Sequence, residues 1–145
     1  MSDAIIPDGL YTIGFPDCPS YLTAMASDRP AVLLPLEPDL YRQQQWTVRR
    51  ERPSGAYVLH NRATATYLRA DEAATNQKVV CAALPAAWRI SGDEDKYVIT
   101  FDADEQGDQE GQALTLGMAL ERIYPPMVAL QPALDPQPWA VIPID

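Results

Sequence analysis

Cysteine and histidine are scarce in this chain of 145 residues. Its two cysteines, Cys18 and Cys81, are too few for a disulfide framework or a zinc site, so we expect reduced thiols, with a Cys18–Cys81 disulfide as the alternative. His60 is the only histidine, and no Ser-His-Asp or Cys-His-Asn signature surrounds it. The sequence therefore predicts a protein that is not an enzyme and that uses no cofactor.

Basic residues and long apolar runs are also lacking. Eleven Lys and Arg against 20 Asp and Glu give a net charge of −9, which argues against nucleic acid as a partner because phosphate binding needs clustered cations. No apolar run approaches the roughly 20 residues that span a bilayer. The first residues lack a basic segment followed by an apolar one, so a cytoplasmic location is expected, with a mature secreted form as the alternative.

The acidic segment 102–110 partly resembles a calcium-binding loop, because its first, third and sixth residues match an EF-hand. Gln106 stands at position five and Ala113 at position twelve, so the bidentate carboxylate that completes such a site is missing. The segment is expected to be a solvated hairpin loop, and no metal site is predicted.

What the chain does have is a threefold recurrence of tryptophan, each one preceded by an aromatic, strand-like segment. The pairs are Tyr11 with Trp46, Tyr57 with Trp88, and Tyr97 with Trp139. Self-similarity at a period of about 30 to 40 residues marks a repeat architecture whose copies share one core. We expect a single domain over 1–145, with repeats at about 9–52, 55–93 and 96–145.

Each repeat reads as four short strands separated by Pro- and Asp-rich turns, and 14 prolines make long helices improbable. Residues 63–77 and 112–124 favour helix by propensity alone, but the repeat pattern predicts strands within them. The twelve predicted strands lie near 9–15, 20–25, 31–36, 44–50, 55–61, 66–70, 78–84, 86–91, 96–102, 112–118, 126–131 and 138–144.

Twelve strands in three repeats, with a Gln-x-Trp phrase at Gln44 and Gln137, resemble the all-β β-trefoil fold. The resemblance implies a closed barrel of six strands, capped by three hairpins and related by a pseudo-threefold axis. Length, acidity and the opening at residues 9–13 are most similar to fungal β-trefoil protease inhibitors of the mushroom trypsin-inhibitor type, related to mycocypins and Kunitz inhibitors. That family implies inhibition of trypsin-like serine proteases through a rigid, substrate-like loop.

The loop between the second and third strands, residues 25–30, is the leading candidate for protease contact. In the mushroom inhibitors that the chain resembles, the loop at this place carries the reactive residue, which implies a contact set of Ala26, Ser27, Asp28 and Arg29. An extended, stiff loop loses little entropy on binding. Arg29 suits an acidic specificity pocket, but a proline follows it, so Ser27 or Asp28 is the alternative.

Two further arginines are alternative reactive residues. Arg52 lies where Kunitz inhibitors place theirs, although proline again follows, and Arg62 precedes Ala63 in a bond better suited to trypsin.

Two other functions remain open. A mycocypin-like inhibitor of cysteine proteases would use residues 14–19 and 38–43, but the prolines in the first loop restrict its backbone. A carbohydrate-binding lectin of the ricin-B type is the runner-up, with Tyr41, Tyr67 and Tyr124 as aromatic platforms for a glycan. No aromatic and Asp pair repeats at one place in the three copies.

Overall fold

The computed structural model describes residues 6–51, 54–93, 96–102 and 113–144. Twelve strands make up nearly all of its regular structure, as the repeats predicted. They are β1 Gly9–Gly14, β2 Tyr21–Thr23, β3 Val32–Leu34, β4 Trp46–Arg50, β5 Tyr57–Asn61, β6 Thr66–Ala70, β7 Val79–Ala82, β8 Trp88–Asp93, β9 Lys96–Phe101, β10 Leu114–Met118, β11 Val128–Pro132 and β12 Ala140–Pro143.

The strand pairing is that of a β-trefoil, which confirms the predicted fold class. Six strands close a barrel in the order β1, β4, β5, β8, β9 and β12, with β12 returning to β1. The other six form three hairpins, β2–β3, β6–β7 and β10–β11. Closure satisfies the edge strands of the barrel, so its backbone polar groups are paired within the fold.

Both segments with helical propensity are strands where predicted. Residues 63–77 contain β6, and the described part of 112–124 contains β10 followed by an irregular loop. Packing of repeated apolar positions into a shared core outweighs propensity here. The one addition is a 3-10 helix at Pro38–Gln44, which begins at the residue whose fixed φ suits a first helical turn.

The three tryptophans pack at the centre of the barrel with no solvent exposure. Each indole N–H donates to a backbone carbonyl in the second strand of its own repeat. The bonds run from Trp46 to Leu22 (3.0 Å), from Trp88 to Leu68 (3.0 Å) and from Trp139 to Leu116 (2.9 Å). The same donor therefore ties the last strand of each repeat to its hairpin, which explains why tryptophan recurs.

The Gln-x-Trp glutamine of the first repeat is structural. Gln44 is fully buried, and its amide bonds to the Pro35 carbonyl at 2.8 Å and to Thr23 Oγ1 at 3.2 Å. Its own oxygen accepts from the Glu37 amide at 3.3 Å. The side chain thus holds the connection between β3 and β4 and faces no ligand.

Both cysteines are free thiols, so the expected reduced state is what the structure has. Cys18 is exposed, whereas Cys81 lies in the core, where burial raises the pKa of its thiol to about 11. No helix in the described part of the chain is long and apolar enough to cross a membrane.

Candidate functional site

The loop between β2 and β3 is exposed, as a contact loop should be, but it is not extended. Asp28 has a positive φ of 65°, and the Arg29 amide donates to the Ala26 carbonyl at 3.3 Å in a tight turn. The Asp28 amide donates to the Cys81 carbonyl at 2.6 Å, and the Cys81 amide donates to the Arg29 carbonyl at 3.0 Å. A substrate-like segment needs these backbone groups for its partner. The predicted extended conformation is therefore wrong.

The side chains of this loop are exposed and therefore accessible to a protease; they are Ala26, Ser27, Asp28 and Arg29. Their contact with a protease stays a prediction. Arg52, the Kunitz-like alternative, lies outside the described residues, as do residues 103–110 of the acidic segment. Arg62 is exposed in the turn between β5 and β6. The structure thus keeps Arg62 and Arg29 on separate loops, and Arg62 borders a groove.

That groove lies between the first and second repeats and encloses about 340 Å³. Its lining combines two guanidinium groups, one amide and two apolar side chains. These residues are Leu10, Arg42, Gln45, Arg62 and Ala63. They come from β1, the 3-10 helix with the residue after it, and the β5–β6 turn, so chain segments up to 53 residues apart in sequence meet here. We call it the Arg42–Arg62 groove.

One buried side chain, Asn61, fixes two walls of the groove. Its amide nitrogen donates to the carbonyls of Gln43 (2.9 Å) and Gln45 (3.3 Å), beside Arg42. Its oxygen accepts from the backbone amides of Ala63 (3.1 Å) and Thr64 (3.3 Å), beside Arg62. Asn61 has no solvent exposure, so water cannot replace these bonds. The backbones that carry both arginines are therefore held before any ligand arrives.

Both arginines of the groove lack a carboxylate partner in the part of the chain that the structure describes. In the described ranges, no carboxylate forms a salt bridge with Arg42 or Arg62, and neither guanidinium makes a hydrogen bond. Arg49, by contrast, pairs with Glu51 at 3.0 Å. None of the described residues that line the groove is acidic. The groove is thus a positive site on a chain whose net charge is −9.

His60 lies in β5 beside this groove, and its ring packs at a tilt against that of Tyr67, with centroids 4.6 Å apart. Burial lowers the pKa of His60, and the positive charges of Arg49 and Arg62 lower it further. The imidazole is therefore kept neutral, and Tyr67 is half-buried. Of the predicted aromatic platforms, Tyr41 and Tyr124 are exposed.

A second exposed feature is the loop that joins β10 to β11, which we call the Arg122 loop, residues 119–127. Side chains 120–124 are all exposed, among them Leu120 at 70% and Tyr124 at 76%. Within the described chain, residues 121–124 form no backbone–backbone hydrogen bond. In the pseudo-threefold arrangement this loop corresponds to residues 25–30, but its main chain is left available.

The base of the Arg122 loop is held by Asn76, which extends from the β6–β7 turn. The Asn76 oxygen accepts from the Leu120 amide at 3.0 Å, and its nitrogen donates to the Glu121 carboxylate at 3.3 Å. Lys78 Nζ lies 2.9 Å from the same carboxylate, and this hydrogen bond lowers the pKa of Glu121. Pro126 accepts at its carbonyl from the Leu33 amide at 2.9 Å. The loop is therefore anchored at both ends and free in its middle.

Sequence reasoning identified Arg62 but missed Arg42, Asn61 and Arg122. Asn61 carries a local signal, because an Asn followed by a turn often accepts from the amides two and three residues on. Arg42 carries none, since its approach to Arg62 exists only after the barrel closes. Among the described residues, no three His, Cys, Asp or Glu side chains cluster as a metal site.

Comparison with known proteins identifies a family. The model of the family described as "Ricin-type beta-trefoil lectin domain-like" matches residues 42–114, half of the chain. That segment includes four of the five residues that line the Arg42–Arg62 groove. No curated protein matches the chain.

Several solved structures share the fold. The ricin B-like lectin of Macrolepiota procera, solved with lactose, has a TM-score of 0.74 and 17% identity, covering 97% of this chain and 100% of the lectin. The Rhizoctonia solani agglutinin has a TM-score of 0.69 and 16% identity, with 99% and 100% covered. A Polyporus squamosus lectin bound to a sialylated epitope has a TM-score of 0.71 and 15% identity, with 95% and 50% covered. The expected resemblance to trypsin inhibitors is not what these matches show.

Proposed function

We propose that this chain, which belongs to the ricin-type beta-trefoil lectin domain-like family, binds carbohydrate and has no catalytic activity of its own. The observation that carries the proposal is the Arg42–Arg62 groove. Small-molecule sites enclose about 300 to 1,000 Å³ and combine apolar walls with a few placed polar groups. A groove of about 340 Å³ with two guanidiniums, one amide and the Leu10 side chain meets this description and suits a mono- or disaccharide.

The chemistry of the lining supports a sugar in particular. Planar guanidinium and amide groups offer several N–H donors in fixed directions, which suits neighbouring hydroxyl oxygens on a ring. Leu10 and Ala63 offer apolar surface for the C–H face of the same ring. The lectins of Macrolepiota procera and Polyporus squamosus, which share the fold, are solved with carbohydrate.

The test is binding of the purified protein to an array of immobilised glycans, with retention competed by free sugar. We expect at least one glycan class to bind with a Kd in the micromolar to millimolar range, about −4 to −8 kcal/mol of binding free energy. An array on which no glycan is retained in a competable manner would overturn the proposal.

A second candidate function, inhibition of a trypsin-like serine protease, is favoured by the Arg122 loop. Arg122 is exposed, is followed by Ile123 and not by proline, and lies in a segment that makes no backbone–backbone hydrogen bond among the described residues. Main chain that is free of such bonds can pair with the edge of a protease cleft, while the guanidinium enters an acidic pocket. Anchoring by Asn76 limits the entropy lost on binding.

For this second function, Arg122→Ala is expected to weaken trypsin inhibition about 30-fold, because a central charged anchor typically contributes about 2 kcal/mol or more. Inhibition constants are measured with a chromogenic substrate for the wild type and for Arg122→Ala, Arg29→Ala and Arg62→Ala. The last two are matched controls, since both arginines are exposed on other loops. An unchanged constant for Arg122→Ala with a raised one for Arg29→Ala would return the contact to residues 25–30.

A further inference from the structure

We propose that the Arg42–Arg62 groove selects glycans that carry a carboxylate, as uronic and sialic acids do, and that both arginines bind that carboxylate. The inference rests on the proposed carbohydrate function and names its ligand class. It starts from the charge of the groove. Among the residues that the structure describes, the two guanidiniums that line it have no carboxylate partner, and no lining residue is acidic.

Neither arginine of the groove has a carboxylate partner among the described residues, although such partners exist on this surface. Acidic side chains outnumber basic ones by 20 to 11, so carboxylate partners are plentiful. Arg49, Arg69 and Arg89 each have one, at 3.0, 3.7 and 3.2 Å. Arg29, Arg50 and Arg122 also form no salt bridge in the described ranges, so what distinguishes Arg42 and Arg62 is that both line the same cavity. A ligand carboxylate would supply the missing counter-charge.

The geometry also suits a planar anion. A guanidinium presents its N–H groups as a rigid fork that matches both oxygens of a carboxylate. Asn61 holds the backbones beside both arginines through four hydrogen bonds of 2.9 to 3.3 Å. Only the side chains remain to be ordered on binding, which reduces the entropy cost. Gln45 and Leu10 are left to contact the hydroxyls and the C–H face of the ring.

The charge of the two arginines predicts a preference for acidic over neutral sugars that depends on salt concentration. The chain as a whole repels an anion, so attraction acts over the short range of the two arginines and is screened by salt. A neutral sugar gains only the hydroxyl and ring contacts. The acidic sugar gains two charge-assisted interactions in addition, which predicts a preference of about tenfold or more.

The experiment is titration calorimetry at 50 and 300 mM NaCl with sialyllactose, its carboxyl methyl ester, a glucuronate-terminated disaccharide and lactose. We expect the two acids to bind more tightly than the ester and lactose by about tenfold at 50 mM, with a smaller difference at 300 mM. Arg42→Gln and Arg62→Gln should each remove most of this preference. Arg42→Lys should restore it in part, because lysine keeps the charge and loses the fork.

Arg29→Gln is the matched control, because Arg29 is exposed on the β2–β3 turn and does not line the groove. Equal binding of acids, ester and lactose would overturn the inference and leave the carbohydrate function standing. Tight binding of the acids that survives both Arg42→Gln and Arg62→Gln would also overturn it, by placing the site elsewhere. Failure of every sugar here and on the glycan array would overturn both proposals.

Discussion

Replacing Trp88 with alanine is expected to lower the free energy of unfolding by about 4 to 5 kcal/mol. Truncation of a fully buried tryptophan costs about 3 to 5 kcal/mol through lost burial and the cavity left behind. The Leu68 carbonyl also loses the indole donor at 3.0 Å, which adds roughly 1 kcal/mol. The edge-on contact between Trp88 and Phe101, with centroids 5.3 Å apart, is lost as well.

The size of this effect follows from the shared core. Domains of this size are stable by only about 5 to 15 kcal/mol, so one tryptophan accounts for roughly a quarter or more of the total. Because Trp46 and Trp139 make the equivalent hydrogen bonds, their alanine variants should lose similar amounts.

Urea denaturation followed by circular dichroism gives the measurement. Leu134→Ala is the control, because a side chain that is 94% exposed should change stability by no more than about 0.5 kcal/mol. Trp88→Phe should fall between the two, since it keeps most of the apolar area and loses the donor. A loss below about 2 kcal/mol for Trp88→Ala would contradict the role assigned to the tryptophans.

The strands could be predicted from the sequence because the residues that define them recur. Trp46, Trp88 and Trp139 fill equivalent places in one core, so any segment aligned with a known strand inherits its conformation. The same reasoning corrected the helical propensity of residues 63–77 and of the described part of 112–124. Because the unit occurs three times, each strand could be predicted from three copies of the same pattern.

The loops could not be predicted in this way, because their conformation depends on contacts between repeats. Asp28 adopts its left-handed turn while its amide bonds to Cys81, 53 residues further on. No pattern local to residues 25–30 records that bond. The sequence located exposed arginines correctly, as at Arg29 and Arg62, but could not tell which main chain was free or which arginines face each other.

The sequence-based preference for protease inhibition over carbohydrate binding has the same cause. The position of residues 25–30 between the second and third strands, together with Arg29, suggested protease contact. Charge and exposure alone do not distinguish a reactive loop from the wall of a ligand groove. The distinguishing features are the hydrogen bonds of Asn61 and Asn76. Each asparagine joins two loops that are distant in sequence, so each defines a site that exists only in the folded chain.

Asn61→Ala is expected to lower the free energy of unfolding by about 3 kcal/mol. The substitution removes five hydrogen bonds, four of them to the backbone, made by a side chain with no solvent exposure, and each backbone bond has a net value of about 1 kcal/mol. Water can only partly replace Asn61 at its four backbone partners, which are the carbonyls of Gln43 and Gln45 and the amides of Ala63 and Thr64. Thermal and urea denaturation measure the loss, and a change below about 1 kcal/mol would contradict it.

Asn76→Ala is the matched control, because Asn76 makes a comparable set of bonds but is only half-buried, so water can replace it. We expect it to cost about 1 kcal/mol. The two variants should also differ in function. Loss of Asn61 releases the walls of the Arg42–Arg62 groove and should weaken glycan binding while leaving protease inhibition unchanged.

Loss of Asn76 releases the base of the Arg122 loop and should do the reverse, so the two substitutions separate the two proposed sites. If both variants weakened both activities equally, each would be acting through global stability. The groove and the loop would then not be independent sites, because a local anchor alters only the segment that it holds.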